Sequence, residues 1–320
     1  MTVKERTACI LEENRGKFVS GADIAAELGV TRNAVWKSVK ALETEGYQIT
    51  AVTNRGYCLS EASDVLSAYS LRRFLDNFSP DVRVYNKTTS TNTVLKQLAV
   101  RGAMEGSIVA AAAQTEGRGR FGRKFASGTS GVYFSILLRP RISAEKSLLI
   151  TTAAAVAAAE AIEEISGKKA DIKWVNDIFI DGKKVCGILT EAAFGMEGGG
   201  LDYAVLGVGV NVTPPENGFP DDIKDIAGSV LDENIPDARS RLAAGIINRF
   251  LKLYKNIEEI SYLDEYRRRS LVLGKNVTLI NGGNSEEVYV MGIDDECRLI
   301  VRTADGKDKI ISSGEVSVRL

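Results

Sequence analysis

The segment QTEGRGRFGRK occupies residues 114–124 and is the densest concentration of glycine and arginine in the chain. Its glycines at 117, 119 and 122 satisfy the literal GxGxxG pattern of dinucleotide-binding sites. A Rossmann fingerprint opens a helix, whereas this segment continues into an apolar run, Val132 to Leu138, that predicts a strand. No GxxxxGK[ST] sequence occurs anywhere in the chain. The segment therefore predicts a loop that precedes a strand, and it excludes both a Rossmann site and a Walker phosphate loop.

The charge of this loop indicates what it could bind. Four cations, at positions 118, 120, 123 and 124, stand against the single anion Glu116. Arginine offers forked donors to phosphate or carboxylate oxygens, and glycine lets the backbone close over a ligand. The loop is thus suited to a polyanion. The alternative interpretation is a solvated, mobile basic loop without a ligand.

Two further segments carry candidate chemistry. KWVND at 173–177 is a strand that ends in polar residues, and KKVCGIL at 183–189 follows it after an Asp-Gly turn. Such a turn between two strands predicts a hairpin, so the sheet is at least partly antiparallel. Lys173 and Lys184 could point into a cleft or could be ordinary strand-end lysines. The strand LGVGVN at 206–211 lacks side chains at two positions, where either a ligand or a neighbouring helix could pack.

The N-terminal residues predict a winged helix. Apolar spacing gives helices at Val3–Glu13, Gly21–Leu28 and Thr31–Glu45, with Gly29 as the break and Thr31 as an N-cap. Two short strands, around residues 47–50 and 56–59, follow as a wing. We expect contacts with DNA from the polar face of the third helix and from the wing tip: Arg32, Asn33, Trp36, Lys37, Lys40 and Arg55. A packing or dimerisation module without a DNA role is the alternative.

These patterns predict an α+β multidomain fold. We expect a winged helix-turn-helix over 1–62, a linker over 63–81, a central mixed-sheet α/β domain over 82–271 and a small β-barrel over 272–320. The turn signals of the last domain stand at 281–283, 294–296 and 305–306.

The amino-acid composition limits the catalytic chemistry that the chain can perform and indicates where the protein is located in the cell. The chain has no histidine, and its four cysteines are far apart, which excludes serine–histidine, cysteine–histidine and histidine–metal chemistry and predicts no metal ligands. A net charge of −1 gives no overall attraction to nucleic acid, so any contact with DNA must be local. The longest weakly polar stretch, Leu148 to Ala159, is too short to span a membrane, and the first residues do not form a signal peptide. We expect a cytoplasmic protein without a membrane partner.

Taken together, the motifs resemble one family. Ser90-Thr91-Asn92, the GRGRxGR core, KWxND, KKVCGIL and GxGxN follow the order and spacing of the biotin protein ligases. With the helix-turn-helix in front, the chain resembles the winged-helix type that also represses the biotin operon. The resemblance implies a central domain of the class II aminoacyl-tRNA synthetase/biotin ligase type and a C-terminal SH3-like barrel.

The resemblance also implies an activity. Biotin and ATP, with Mg²⁺, would form biotinyl-5′-AMP and pyrophosphate, and the biotinyl group would pass to a lysine of a biotin carboxyl carrier domain. Biotinyl-5′-AMP would also serve as corepressor, with the adenylate-bound chain binding operator DNA as a homodimer.

Site residues carry over by position in the motifs. The resemblance implies a catalytic set of Lys184, Arg120, Arg118, Lys173 and Asp177. The biotin-binding set is Ser90, Thr91, Asn92, Gln114, Gly117, Arg118, Gly119, Arg120, Lys184 and Gly187. The nucleotide-binding set is Arg118, Arg120, Arg123, Lys173, Asn176, Gly207, Gly209 and Asn211.

Three positions depart from the family pattern, and two other functions compete. Val175 stands where proline is usual, Phe125 stands where tryptophan is usual, and an aromatic residue is missing near residues 312–313. These departures concern contacts with the nucleotide and remove no charged participant. The competing functions are a lipoate-type ligase and a transcription factor that only senses a small acid.

Overall fold

The computed structural model describes residues 2–76, 81–194, 201–281 and 284–317. The chain forms two compact units: residues 1–74 with 234–241, and residues 75–233 with 242–320. The division falls inside the predicted linker, of which residues 77–80 lie outside the described residues.

The first unit contains the predicted helix-turn-helix. Its elements are α1 (Val3–Glu13), α2 (Gly21–Leu28), α3 (Arg32–Thr44), β1 (Ile49–Val52), β2 (Gly56–Leu59) and α4 (Ala68–Phe74). The Thr31 hydroxyl accepts the Ala34 N–H and caps α3, while Gly29 ends α2 in the left-handed conformation, as predicted. The first wing strand begins later than predicted, because the Tyr47 N–H is bonded to Leu42 O at the end of α3.

The wing is fixed to the segment before α2. Val19 and Tyr57 exchange two backbone hydrogen bonds, of 2.8 and 2.9 Å. Gly56 begins β2 with φ +101°, and a Cβ there would lie 2.0 Å from Val19 O. Only glycine fits this approach.

A seven-stranded mixed sheet forms the centre of the second unit. Its strands are β3 (Val82–Tyr85), β4 (Ile108–Ala111), β5 (Gly131–Leu138), β6 (Asp171–Lys173), β7 (Asp177–Ile180), β8 (Lys183–Phe194) and β9 (Leu201–Asn211). The strand order is β3-β4-β5-β9-β8-β7-β6, and only β3 and β4 are parallel. The predicted mixed sheet is confirmed, but KWVND is not a continuous strand, because residues 174–176 form the turn between β6 and β7.

Helices complete this unit. They are α5 (Thr91–Val100), α6 (Leu148–Ser166), α7 (Ala238–Tyr254, which contributes residues to both units) and α8 (Leu263–Arg268). A separate 3₁₀ turn over residues 144–147 precedes helix α6. Alanine dominates α6, and its small side chains let the helix pack closely, so that most of it is buried.

The C-terminal residues form a five-stranded antiparallel sheet. Its strands are β10 (Asn276–Asn281), β11 (Asn284–Ile293), β12 (Leu299–Thr303), β13 (Asp308–Ile311) and β14 (Glu315–Ser317). Their order is β13-β12-β11-β10-β14, and a barrel would require the two outer strands to pair with each other. No such pairing occurs between the strands that the structure describes, so the SH3-like barrel is not confirmed. Residues 282–283 of the predicted first turn lie outside the described residues.

Within the described ranges, no helix has both the length and the apolar character needed to cross a membrane.

Candidate functional site

A cavity of about 360 Å³ opens on the central sheet of the second unit. It gathers every residue of the predicted ligase site except Gly117. The predicted residues that line it are Ser90, Thr91, Asn92, Gln114, Arg118, Gly119, Arg120, Arg123, Lys173, Asn176, Asp177, Lys184, Gly187, Gly207, Gly209 and Asn211. Motifs that are separated by up to 121 positions in sequence therefore meet in one place.

Three glycines make the floor of this cavity. Gly187 of β8 pairs with Gly209 of β9, and the Phe125 ring lies so close that a Cβ at either glycine would come within 2.9 Å of a ring carbon. A Cβ at Gly207 would lie 2.1 Å from the Asn92 side-chain oxygen. The missing side chains thus let Asn92, in the first turn of α5, and Phe125 lie directly on the strands, which explains the GxGxN pattern.

The basic loop forms a tight hairpin above this floor. The Gly119 N–H donates to Arg123 O at 2.7 Å, and the Phe125 N–H donates to Gly117 O at 2.9 Å. At its tip, Phe121 adopts φ +54° and is 68% exposed. The loop is therefore structured at its base and presents an exposed aromatic ring at its tip.

Gly117 serves this hairpin and does not line the cavity. A Cβ there would lie 2.3 Å from Ser127 Oγ and 2.5 Å from Phe125 O. Its predicted contact with a ligand is therefore better interpreted as a requirement for closing the loop.

Positive charge dominates the cavity wall. Its lining cations are Arg118, Arg120, Arg123, Lys124, Lys173 and Lys184, and Asp177 is the one carboxylate among the lining residues. Lys184 Nζ lies 2.7 Å from Asp177 Oδ1 and 5.7 Å from the centroid of the Phe125 ring. Arg120 Nη1 donates to Asn176 Oδ1 at 3.4 Å. Such an excess of cations in a concave site attracts and holds anions.

The cavity also has a lining of polar, uncharged and buried residues. Ser90, Thr91 and Asn92, at the start of α5, have exposed fractions of 3%, 4% and 6%. The Thr91 N–H donates to Gln114 Oε1 at 2.8 Å. Fixed polar groups of this lining could orient a ligand whose anionic end lies among the cations.

The cavity also has an apolar side, most of which the sequence patterns did not predict. It is lined by Phe121, Phe125, Ile223, Ile226, Ala227 and Val316. The Lys184 N–H donates to Ile226 O at 2.7 Å, and the Gly228 N–H returns a bond to Lys184 O at 2.9 Å. Because residues 213–233 belong to no helix or strand, no hydrophobic period could reveal them.

The C-terminal sheet anchors the KWVND segment. The indole N–H of Trp174 donates to Cys297 O at 2.9 Å, and the Tyr266 hydroxyl donates to Val175 O at 3.1 Å. Trp174 and Val175 are both buried, so their neighbours Lys173 and Asn176 are held at the cavity wall.

A nucleophilic cysteine finds no support near the cavity. The thiol of Cys186 is fully buried, and burial raises its pKa far above the ordinary value, so it is a poor nucleophile. Across the ranges that the structure covers, no group of three or more cysteines or carboxylates could hold a metal ion.

In the first unit, all six predicted DNA-contacting residues are exposed. Arg32, Asn33, Trp36, Lys37 and Lys40 lie along α3, and Trp36 is 49% exposed. The Arg55 guanidinium stacks over the Phe18 ring at 4.1 Å, which holds the wing tip in place.

This cavity defines a protein that binds an anion beside a polar pocket, and the relatives of the chain are consistent with that description. Residues 84–211 match the biotin/lipoate A/B protein ligase family, residues 8–58 match an HTH domain and residues 272–319 match the biotin protein ligase C terminal domain. The chain is 34% identical over 322 aligned residues to the bifunctional ligase/repressor BirA of Bacillus subtilis, covering 98% of each. The chain therefore belongs to the biotin/lipoate A/B protein ligase family.

More distant relatives agree. The bifunctional ligase/repressor BirA of Escherichia coli is 27% identical, with 95% of this chain and 94% of that protein covered. Among solved structures, the biotin protein ligase of Aquifex aeolicus in complex with biotin and ATP superposes with a TM-score of 0.62 and 28% identity. That match covers 75% of this chain and 98% of the other. The resemblance stated from the motifs is thus confirmed.

The role of Gly117 gives a prediction that does not depend on a ligand. Gly117→Ala should open the hairpin of the basic loop, because the added Cβ collides with the backbone at Phe125. Limited trypsin digestion should then cut after the loop arginines several-fold faster than in the unaltered chain. Gly128→Ala is the matched control, since a Cβ there meets nothing within 4 Å. Equal cleavage rates in both variants would contradict the prediction.

Proposed function

We propose that this chain is an ATP-dependent biotin protein ligase that forms biotinyl-5′-AMP, transfers biotin to a lysine of a biotin carboxyl carrier domain, and acts as a biotin-responsive repressor. The observation that carries the ligase is the cavity in which Lys184, Arg118 and Arg120 converge beside a buried polar pocket. The exposed polar face of α3 supports the repressor.

The first step needs charge neutralisation and no base. The biotin carboxylate attacks the α-phosphorus of ATP, the bond to the bridging oxygen breaks, and pyrophosphate leaves with the electron pair. A carboxylate has no proton to lose, so the absence of histidine is no obstacle. The work that remains is to hold two anions together and to offset the charge that develops between them.

Each group of site residues would contribute to these tasks according to its position in the motifs. Ser90, Thr91, Asn92 and Gln114 would bind the biotin head, with Gly119 and Gly187 leaving room beside it. Lys184 would contact the biotin carboxylate and the α-phosphate, while Arg118 and Arg120 would cover the adenylate. The nucleotide would lie against Arg123, Lys173, Asn176, Gly207, Gly209 and Asn211. The apolar side around Phe125 and Ile226 offers a surface for a base ring.

Magnesium fits the donor set at the cavity. Mg²⁺ is usually held by one or two carboxylates together with phosphate oxygens, and Asp177 supplies such a carboxylate. When bound, the ion would offset the negative charge of the ATP phosphates. The ion pair with Lys184 holds the Asp177 carboxylate at the cavity.

In the second step the amine of the acceptor lysine attacks the adenylate carbonyl. An amide bond forms, AMP leaves, and the amine gives up a proton. The exposed tip of the basic loop, with Arg120 and Phe121, would cover the adenylate until the acceptor arrives.

Several finer assignments belong to this proposal. They are a homodimer in the adenylate-bound state, biotinyl-5′-AMP as corepressor, a cytoplasmic location, SH3-like closure of the C-terminal sheet and the class II synthetase type of the central sheet. Ordering of the basic loop on the adenylate is a physical route from ligand to dimer, since binding that favours one state shifts the population toward it.

The competing functions make different demands. A sensor of a small acid needs affinity for its ligand. It does not need a set of cations that could act on a reacting phosphate, and this cavity has such a set of cations. A lipoate-type ligase shares the family model, but the GRGRxGR and KWxND combination and the winged helix favour biotin.

Replacement of Lys184 tests the ligase assignment. Lys184→Met should lower biotin-dependent ATP–pyrophosphate exchange by at least about 10²-fold, because it removes a cation that stabilises the transition state. Lys183→Met is the matched control, since Lys183 is the preceding residue, is exposed and does not line the cavity. Exchange that survives Lys184→Met within about twofold would contradict the assignment of this residue.

Replacement of Lys37 tests the DNA-binding face. Lys37→Ala should weaken binding to a duplex of mixed sequence and reduce the slope of log affinity against log salt by about one, because one phosphate contact is lost. Fluorescence anisotropy over a range of salt concentrations measures both quantities. The control is Lys4→Ala, which removes a cation of α1 that pairs with Glu45, the residue that follows α3 and lies outside the predicted DNA-contacting set. A slope that does not change would count against contact between α3 and DNA.

A further inference from the structure

A chain of hydrogen bonds extends from the polar pocket to residues that no motif includes. It begins at Lys96 on α5, whose Nζ lies 2.8 Å from Glu191 Oε1 on β8. Glu191 Oε2 accepts from Asn92 Nδ2 at 2.8 Å. Asn92 Oδ1 lies 2.6 Å from Ser135 Oγ, on β5. The chain continues from Ser135 Oγ to Thr91 Oγ1, at 2.8 Å.

Glu191 stays ionised in this chain. Burial raises its pKa, but the hydrogen bonds from Lys96 and Asn92 outweigh that effect, so the pKa lies below the ordinary value. An ionised carboxylate can only accept hydrogen bonds. The Asn92 side chain must therefore turn its nitrogen toward Glu191, which leaves its oxygen facing Ser135.

The direction of each further bond follows from that choice. The Ser135 hydroxyl has one proton, and the Asn92 oxygen has none, so the Ser135 proton is committed to Asn92. Ser135 is fully buried, and the remaining contact of its oxygen, with Thr91, must then use the proton of the Thr91 hydroxyl. Gln114 Oε1, the other neighbour at 3.2 Å, already accepts the Thr91 N–H at 2.8 Å.

We infer that Glu191, acting through Asn92 and Ser135, is a positioning residue that turns the Thr91 hydroxyl into a hydrogen-bond acceptor toward the cavity. A ligand with an N–H donor at this end, such as the ureido ring of biotin, is favoured over one without it. Lys96 supports the arrangement by pairing with the second carboxylate oxygen of Glu191. This inference rests on the proposed function, from which the identity of the ligand comes.

The arrangement of these hydrogen bonds also explains why residue 207 is a glycine. Asn92 can occupy its place in the chain of bonds only because the strand beneath it has no side chain at Gly207. Gly207 also pairs with both Leu189 and Ser135 in the sheet, so the hydrogen-bonded chain lies across three neighbouring strands and is held by their register.

The test compares the effect of a substitution on the KM for biotin with its effects on the KM for ATP and on kcat. Glu191→Gln keeps the shape of the side chain, but its amide can donate as well as accept, so the polarity of the chain is no longer fixed. We expect the KM for biotin to rise by about 3- to 10-fold, because the bond to the ligand that is weakened joins two neutral groups, the Thr91 hydroxyl and an N–H. The KM for ATP and kcat should stay within about twofold, because the change does not reach the phosphate end.

Two other variants keep the inference falsifiable if Glu191→Gln fails to fold. Lys96→Met acts at a half-buried position and should raise the KM for biotin in the same direction, by a smaller factor. Ser135→Ala should raise it without changing the KM for ATP.

Matched controls lie outside the chain of bonds. Ser107→Ala removes a buried hydroxyl that donates to Met104 O, and Glu286→Gln breaks a surface ion pair with Lys309. Neither control should change the KM for biotin.

The outcomes separate the inference from the proposed function. Absence of biotin-dependent exchange in the unaltered chain would overturn the proposed function. Normal exchange in the unaltered chain, together with an unchanged KM for biotin in Glu191→Gln and Lys96→Met, would overturn the inference alone. Equal rises in the KM values for biotin and ATP would also overturn it, since a general structural defect has no preference for one end of the cavity.

Discussion

The register between β8 and β9 is the constraint on which the rest of the site depends. It sets Gly187 opposite Gly209 and places Gly207 beneath Asn92, so that this part of the sheet carries no side chains of its own. Asn92, in α5, and Phe125, just after the basic loop, then lie directly on the strands. A shift of one residue would bring side chains onto this floor and displace both.

The same framework brings cations and uncharged polar groups to one cavity. The cations come from the hairpin loop and from β6 and β8, while the uncharged groups come from the start of α5 and from Gln114. A substrate with an anionic end and a polar head therefore has one orientation that satisfies both. The C-terminal sheet contributes by anchoring Trp174, which keeps the KWVND segment at the wall.

The sequence allowed much of this site to be predicted, and the remainder depends on tertiary structure. Motifs with glycines and cations at fixed spacing identify the cationic side of the cavity, and turn chemistry predicted the mixed sheet. The apolar side around Ile223 and Ile226 lies in an irregular segment without periodicity, and Glu191 is polar in a strand, where no local pattern reveals its partner. The expected closure of the C-terminal barrel is not confirmed among the described strands, and strand count does not determine whether outer strands pair.

The central claim is that this cavity activates the carboxylate of biotin by adenylation. The most direct measurement is pyrophosphate release from ATP with biotin, lipoate or octanoate, followed by mass analysis of an added biotin carboxyl carrier domain. The account predicts release that depends on biotin, and a carrier whose mass rises by one biotinyl group. Tight binding of biotin without pyrophosphate release would contradict it and would make the central domain a sensor.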